Sequence, residues 1–487
     1  MRHRYLLAVG LAALLGFAFA SFATYDFAQH LDREVHAIHC SFVPGLAAAD
    51  ASGSSGCQVT MMSPYSSVFR TALWGGVPIS LPAMGVFAFL LFWTLEIGLS
   101  RRHADRKATG FLALGFALPA LMSVLMGIIS FATLGAACKL CIGIYVSSAV
   151  GLGGAVLLWR EALARRSASA AEAEDWQSSR PEPPVTPALW WMFALGVAFV
   201  ALPTLAYVLV VPDHRERVAS CGALDWPQDS YKVMVPLGGS PSAVSAIEVL
   251  DPLCPSCRAF EERFGASGLA TRFSRQGLLF PLDNTCNWMV GSAVHPGACA
   301  VSEAVLCAGD QAPAVVAWAF EHQDAIKEAA AKDTNAAARM AGAAFPRLRN
   351  CIGSAAVRTR LNKSLRWAVK NQMQVLTPQF YVEGVKLCDQ DVDLGLDYAL
   401  TTMLDMHAKG TLPIPKVKPE PPNFPDTQPL AEAAARAKAA AAVPEPELVG
   451  SAEADAPSDD TEVAAPAPSP QPDQVPGPAP KENGEAP

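Results

Sequence analysis

The sequence predicts an α-helical membrane bundle followed by a soluble α/β domain. Half of its 487 residues (51%) are hydrophobic and its mean hydropathy is positive, unusual for a soluble chain of this length. Five uncharged apolar stretches are each about as long as the roughly 20 residues that cross a bilayer. Further along, runs of β-type residues alternate with runs of helical spacing. The net charge of −8 leaves no basic field for nucleic acid, so no nucleic-acid partner is expected.

The apolar stretches are 5–25, 75–95, 108–134, 140–159 and 189–211. Arg2 and Arg4 precede the first, Arg101, Arg102, Arg106 and Lys107 follow the second, and Arg160, Arg165 and Arg166 follow the fourth. Positively charged loops stay cytoplasmic, which places 26–74, the Cys138–Cys141 turn and everything after Val211 on the outer side. All twelve cysteines then face an oxidising compartment, where disulfides form and persist. The expected location is the inner (plasma) membrane, with multiple passes and the soluble domain on its periplasmic, extracytoplasmic side. Ala18-Phe19-Ala20 also resembles a signal-peptide cleavage site, which leaves open whether the first stretch is retained.

Residues 161–187 read as a polar cytoplasmic linker, 188–212 as the fifth membrane helix, and 220–408 as a soluble domain with its own core. Strands are expected at 231–236, 244–251, 277–282 and 379–382. Helices are expected at 254–264, across 300–370 and at 394–404. Residues 409–487 are rich in Pro, Ala and acid and are expected to be a largely disordered tail, with one Ala-rich helix at 430–442.

Two Cys-x-x-Cys pairs carry the chemistry. Cys254-Pro255-Ser256-Cys257 lies where a strand ends and an amphipathic helix begins. The free N–H groups and dipole of a helix N-terminus favour a thiolate, so Cys254 is expected to be an exposed, acidic nucleophile and Cys257, one turn in, the buried resolving thiol. Half of a zinc site and a structural disulfide are the alternatives. No second pair with zinc-ligand spacing lies in the same domain, and no metal is expected.

Residues 220–408 resemble the thioredoxin superfamily, and the helical insertion resembles its DsbA-like branch. Leu376-Thr377-Pro378-Gln379-Phe380 resembles the family's cis-proline loop, which implies a cis Pro378 and contact of Thr377 with substrate backbone. The Pro255-Ser256 dipeptide departs from strong oxidants of that branch, which carry a histidine there, and so lacks one stabiliser of the thiolate.

Cys138-Lys139-Leu140-Cys141 opens the fourth stretch, with Lys139 the only charge between Lys107 and Arg160. Together with Cys40, Cys57, Ser63 and Tyr145, this pair makes residues 5–160 similar to the vitamin K epoxide reductase family, including bacterial members fused to a thioredoxin-like domain. The resemblance implies a four-helix core over residues 1–160 with the fifth helix outside it. It also implies a quinone, ubiquinone or menaquinone, bound near Tyr145 and Ser63. Cys141 would react with the quinone, Cys138 would exchange with Cys57, and Cys40 would meet Cys254/Cys257. The sixteen residues between Cys40 and Cys57 exceed the family spacing. Without the flanking cysteines Tyr145 reads as an interfacial aromatic anchor, and Ser63 reads as a loop cap ahead of a ligand contact.

Cys221, Cys286, Cys299, Cys307, Cys351 and Cys388 are expected to form structural disulfides, paired 286 with 299, 307 with 351 and 221 with 388. The expected function is quinone-dependent disulfide generation in exported thiol-containing proteins, by relay from Cys254/Cys257 through Cys40/Cys57 to Cys138/Cys141. A reductase or isomerase with the same chemistry is the alternative within this class. A membrane receptor or metal-binding protein with structural cysteines is the alternative outside it.

Overall fold

The computed structural model describes residues 2–34, 56–102, 105–172, 186–240 and 242–416. The chain divides into two compact units, Met1–Glu420 and Pro421–Pro487, and every described residue belongs to the first. Cys40, most of the linker that follows Glu172 and the helix expected at 430–442 lie outside the described residues.

The helices of the N-terminal half are α1 (Arg2–Gln29), the short α2 (Gly56–Met61), α3 (Ser80–Leu99), α4 (Arg106–Ile128), α5 (Lys139–Glu172) and α6 (Thr186–Val210). All but α2 are long and apolar enough to cross a membrane. Helix α1 packs on α3 and α5, α4 packs on α5, and α6 lies against α3. Phe87, Leu90, Trp93, Leu112, Phe116 and Leu158 fill the space between them. A side chain at Gly85 would strike the Phe199 carbonyl, so this glycine sets how closely α6 approaches α3.

Several helix boundaries differ from the sequence-based expectation, three of them for a local reason. Helix α3 starts at Ser80 because Gly75 and Gly76, both with positive φ, turn the chain into an antiparallel ladder of β1 (Ser67–Val68) and β2 (Val77–Pro78). Helix α4 starts at Arg106 because the Asp105 carboxylate accepts from the Lys107 and Ala108 amides. Helix α5 continues through the first part of the expected linker to Glu172, since residues 160–172 are mostly Ala, Arg, Glu and Leu, with no helix breaker among them.

Five strands follow: β3 (Val235–Gly238), β4 (Val244–Leu250), β5 (Phe273–Leu279), β6 (Gln379–Val382) and β7 (Val385–Lys386). They form one mixed sheet in the order β3-β5-β4-β6-β7, in which only β4 and β5 are parallel. The crossover between those two is α7 (Pro255–Ala266). Strand β3 begins later than expected because Asp229 takes the Val233 and Met234 amides with its side chain and holds them out of the ladder. Between β5 and β6 lie α8 (Ala298–Ala308), α9 (Ala312–Glu321), α10 (Gln323–Lys332), α11 (Ala336–Ala344) and α12 (Ala355–Lys370); α13 (Leu396–Ala408) closes the domain. Disulfides join Cys286 to Cys299, Cys307 to Cys351 and Cys221 to Cys388, the pairs expected from the sequence.

The α/β domain sits on the bundle end that carries Cys138. Arg33, whose left-handed backbone ends the first helical segment, forks onto Asp391 with Nε (3.0 Å) and Nη2 (2.8 Å). The Trp74 indole donates to the same carboxylate at 2.8 Å, and Gly395 leaves the space in which that indole lies. Arg263 of α7 donates to the Met62 carbonyl, His214 contacts the Leu31 carbonyl at 2.7 Å, and Arg70 pairs with Asp397. Phe27, Leu31, Met62 and Trp74 from the bundle side join Phe260, Phe264, Leu396 and Met403 in one apolar cluster across this seam.

Candidate active site

Strand β4 delivers Asp251 and then Cys254 to the start of α7. Pro255, with its fixed φ and missing N–H, suits the first helical position. The helix buries Cys257, Phe260 and Phe264, one face at helical spacing. Phe260 and Phe264 meet Phe380 of β6 at ring-centroid distances of 5.4 and 5.5 Å, which holds α7 on the sheet. Gln323 of α10 donates to the Cys254 carbonyl at 2.9 Å.

Cys254 is not exposed as expected: only 5% of its surface is accessible. The loop preceding β6 covers it, with the Thr377 carbonyl 3.6 Å from its sulfur, and the Thr377–Pro378 peptide is cis. Cys257 is fully buried, and both are free thiols. The hydrogen bond from Cys257 lowers the Cys254 thiol to about 6; Thr377 and the Cys257 amide assist, against burial and the Asp251 charge. Burial pushes Cys257 well up, and the Cys254 charge adds to this. The two sulfurs are therefore unequal, one a thiolate and the other a thiol at neutral pH. Cys254 alkylation by iodoacetamide is expected to rise with pH through an inflection near 6, whereas an ordinary cysteine inflects at about 8.5. Mass spectrometry of the alkylated peptide checks this, and an inflection at the ordinary value contradicts it.

Behind the dithiol, Glu248 of β4 is buried and paired with Arg275, which also binds Glu261 and lies over the Phe264 ring at 4.6 Å. Burial, then repulsion from Glu261, raises the Glu248 carboxyl to about 8, with Arg275 opposing.

The second dithiol opens α5. Cys138 is buried at the end of the loop from α4, and the Cys141 amide donates to its sulfur at 3.3 Å. Ser130, in the π-helical turn that ends α4, donates to the Ala136 carbonyl and holds this loop. Both cysteines are free thiols on the wall of a cavity of about 100 Å³. Cys57, Ser63, Tyr145 and Asp26 line it too, amid mainly apolar side chains. Cys57 is disulfide-bonded, and its expected partner Cys40 lies outside the described residues. The Ser63 hydroxyl donates to the Thr60 carbonyl at 2.7 Å, so it caps its turn and turns only lone pairs toward the cavity. Tyr145 faces the cavity beside Gly127.

The structure thus gathers Cys57, Ser63, Cys138, Cys141 and Tyr145 around one cavity, and Cys254, Cys257, Thr377 and Pro378 around a second centre in the α/β domain. Sequence reasoning missed Asp26, Glu248, Asp251 and His295. Glu248 and Asp251 lie on and just after the strand that leads to Cys254, a position that marks them in the sequence; His295 has no local signal at all.

Fold and site together define a helical bundle with a cavity-facing dithiol, joined to an α/β domain with a second dithiol. Residues 7–155 match the family model for the vitamin K epoxide reductase family. That match supports a redox enzyme of the disulfide oxidoreductase type and runs from within α1 to the middle of α5. No curated protein and no solved structure matches the chain.

Proposed function

We propose that the chain generates disulfides in exported thiol-containing proteins and passes the electrons to a membrane quinone. The observation that carries this reading is the placement of Cys138 and Cys141, as free thiols, on the wall of an apolar cavity that disulfide-bonded Cys57 also lines. The docking of a second dithiol domain on that end of the bundle supports it. The sheet order and the cis Thr377–Pro378 bond support a thioredoxin-like, DsbA-like reading of residues 220–408. Residues 1–160 are then the quinone-linked core.

Each exchange between cysteine pairs is thiolate attack on a disulfide, so two electrons and two protons move together. A substrate thiolate attacks the Cys254–Cys257 disulfide, a second substrate thiolate resolves the mixed disulfide, and the pair is left as a dithiol. Thr377 and Pro378 hold the substrate backbone against Cys254. Cys254 attacks the Cys40/Cys57 disulfide, Cys257 resolves it, and the loop dithiol then reduces a Cys138–Cys141 disulfide. The cavity suits a quinone because its walls are apolar and Tyr145, Ser63 and Asp26 bring polar atoms to it. Ubiquinone or menaquinone supplies a two-electron, two-proton acceptor. With such an acceptor bound, Cys138 and Cys141 would return to the disulfide as they gave up both electrons and both protons.

Purified full-length chain, mixed with a reduced dithiol protein and a soluble quinone, is expected to bleach quinone absorbance. Cys141→Ala is expected to abolish this. Quinone reduction by Cys141→Ala at the wild-type rate overturns the relay.

A further inference from the structure

The Cys254-Pro255-Ser256-Cys257 motif has no basic residue between its sulfurs, yet a buried imidazole from a distant loop holds the carboxylate just upstream of it. His295 Nδ1 donates to Asp251 Oδ2 at 2.7 Å. Asp251 is fully buried; its Oδ1 accepts from the Leu253 amide at 2.8 Å, and its Oδ2 also accepts from the Leu282 amide at 2.8 Å. The Cys254 amide in turn donates to the Asp251 carbonyl at 3.1 Å. One carboxylate therefore ties His295 to the residues on which Cys254 is mounted. The His295 loop is itself fastened: the Cys286–Cys299 disulfide closes it, the His295 amide bonds to the Leu282 carbonyl, and Asp283 accepts from the Gly297 amide.

The arrangement has an electrostatic reason. A bare Asp251 carboxylate next to Cys254 opposes ionisation of the thiol. A protonated His295 cancels that charge at its source. We propose that His295, held by Asp251, is a positioning residue of the Cys254/Cys257 dithiol that supplies from outside the dipeptide a positive charge against the Asp251 carboxylate, which otherwise opposes the Cys254 thiolate. The inference rests on reading Cys254/Cys257 as a redox pair and adds which residue sets its acidity.

The groups facing His295 are Asp251, Cys254 and Lys327 of α10. Burial and Lys327 disfavour its charge, but the Asp251 hydrogen bond and the Asp251 and Cys254 charges outweigh them and hold the imidazole above its ordinary value. Around Cys254 the corresponding groups are Cys257, Thr377 and Asp251, and His295 acts on it through Asp251.

The test uses the full-length reduced chain with His295→Gln, whose amide still donates to Asp251 but carries no charge. The alkylation profile of Cys254 is expected to move to higher pH by roughly one unit, a fall of about tenfold in rate on its acid side. An unmoved profile in the folded variant overturns the proposal. A measurement on the unmutated chain guards against misfolding of the variant: NMR titration of the His295 imidazole in glutathione buffers. Linkage requires the imidazole to titrate higher beside the Cys254 thiolate than beside the Cys254–Cys257 disulfide, by the same amount that His295 lowers the thiol. Equal values in the two redox states overturn the proposal. If Cys254 and Cys257 do not cycle with glutathione at all, the redox reading itself fails and this role falls with it; cycling with an unmoved profile removes only the role of His295.

Discussion

Asp391→Ala is expected to destabilise the seam between bundle and α/β domain by about 3–5 kcal/mol, the usual cost of removing one partner from a buried ion pair. Asp391 is fully buried and accepts from three donors, Arg33 Nε, Arg33 Nη2 and Trp74 Nε1. Alanine strands all three, and the Arg33 guanidinium, itself buried, keeps a charge with no route to water. The transition followed by tryptophan fluorescence in detergent should move to much lower denaturant. The double variant Arg33→Met, Asp391→Leu should recover most of the loss, because replacing both members of a buried pair by apolar side chains leaves no orphaned charge. An Asp391→Ala chain with an unchanged midpoint would show that the apolar cluster alone holds the seam.

Stability of the α/β domain is expected to fall as pH rises from the ordinary carboxylate range through about 8, the value to which burial first, and Glu261 second, raises Glu248. The folded state binds this proton more tightly than the unfolded chain. Its contribution is therefore complete below the unfolded value of about 4.3 and is lost as pH passes through the folded one, with the unfolding constant rising by up to about tenfold per unit between them. Glu248→Gln, neutral at every pH, should flatten the slope. Chemical denaturation at a series of pH values checks this; a slope that persists in Glu248→Gln assigns it to other buried carboxyls, of which Asp393 and Asp397 are also raised by burial.

Strand β6 at Gln379–Val382 was legible from the sequence to the residue, because a short β-rich run after a proline has little freedom to be anything else. Strand β3 was placed too early because Asp229 competes for amides that hydrophobic pattern alone assigns to a ladder. Cys254 was expected in the open, since a helix N-terminus normally is. Its cover comes from Thr377, 123 residues further along, and no local pattern reports a contact that distant.

The sequence by itself determined the five apolar spans, the strand–dithiol–helix order and the two Cys-x-x-Cys pairs. All of these follow from short-range periodicity and from the length of chain a bilayer or a helical turn requires. Only the tertiary structure decided that Cys57 lines the cavity of Cys138 and Cys141, that Arg33 meets Asp391 across 358 residues, and that His295 bonds Asp251 upstream of the first dithiol. Those contacts depend on which buried charges and hydrogen-bond donors find partners once the chain has collapsed, and residues far apart in sequence carry no local mark of that pairing.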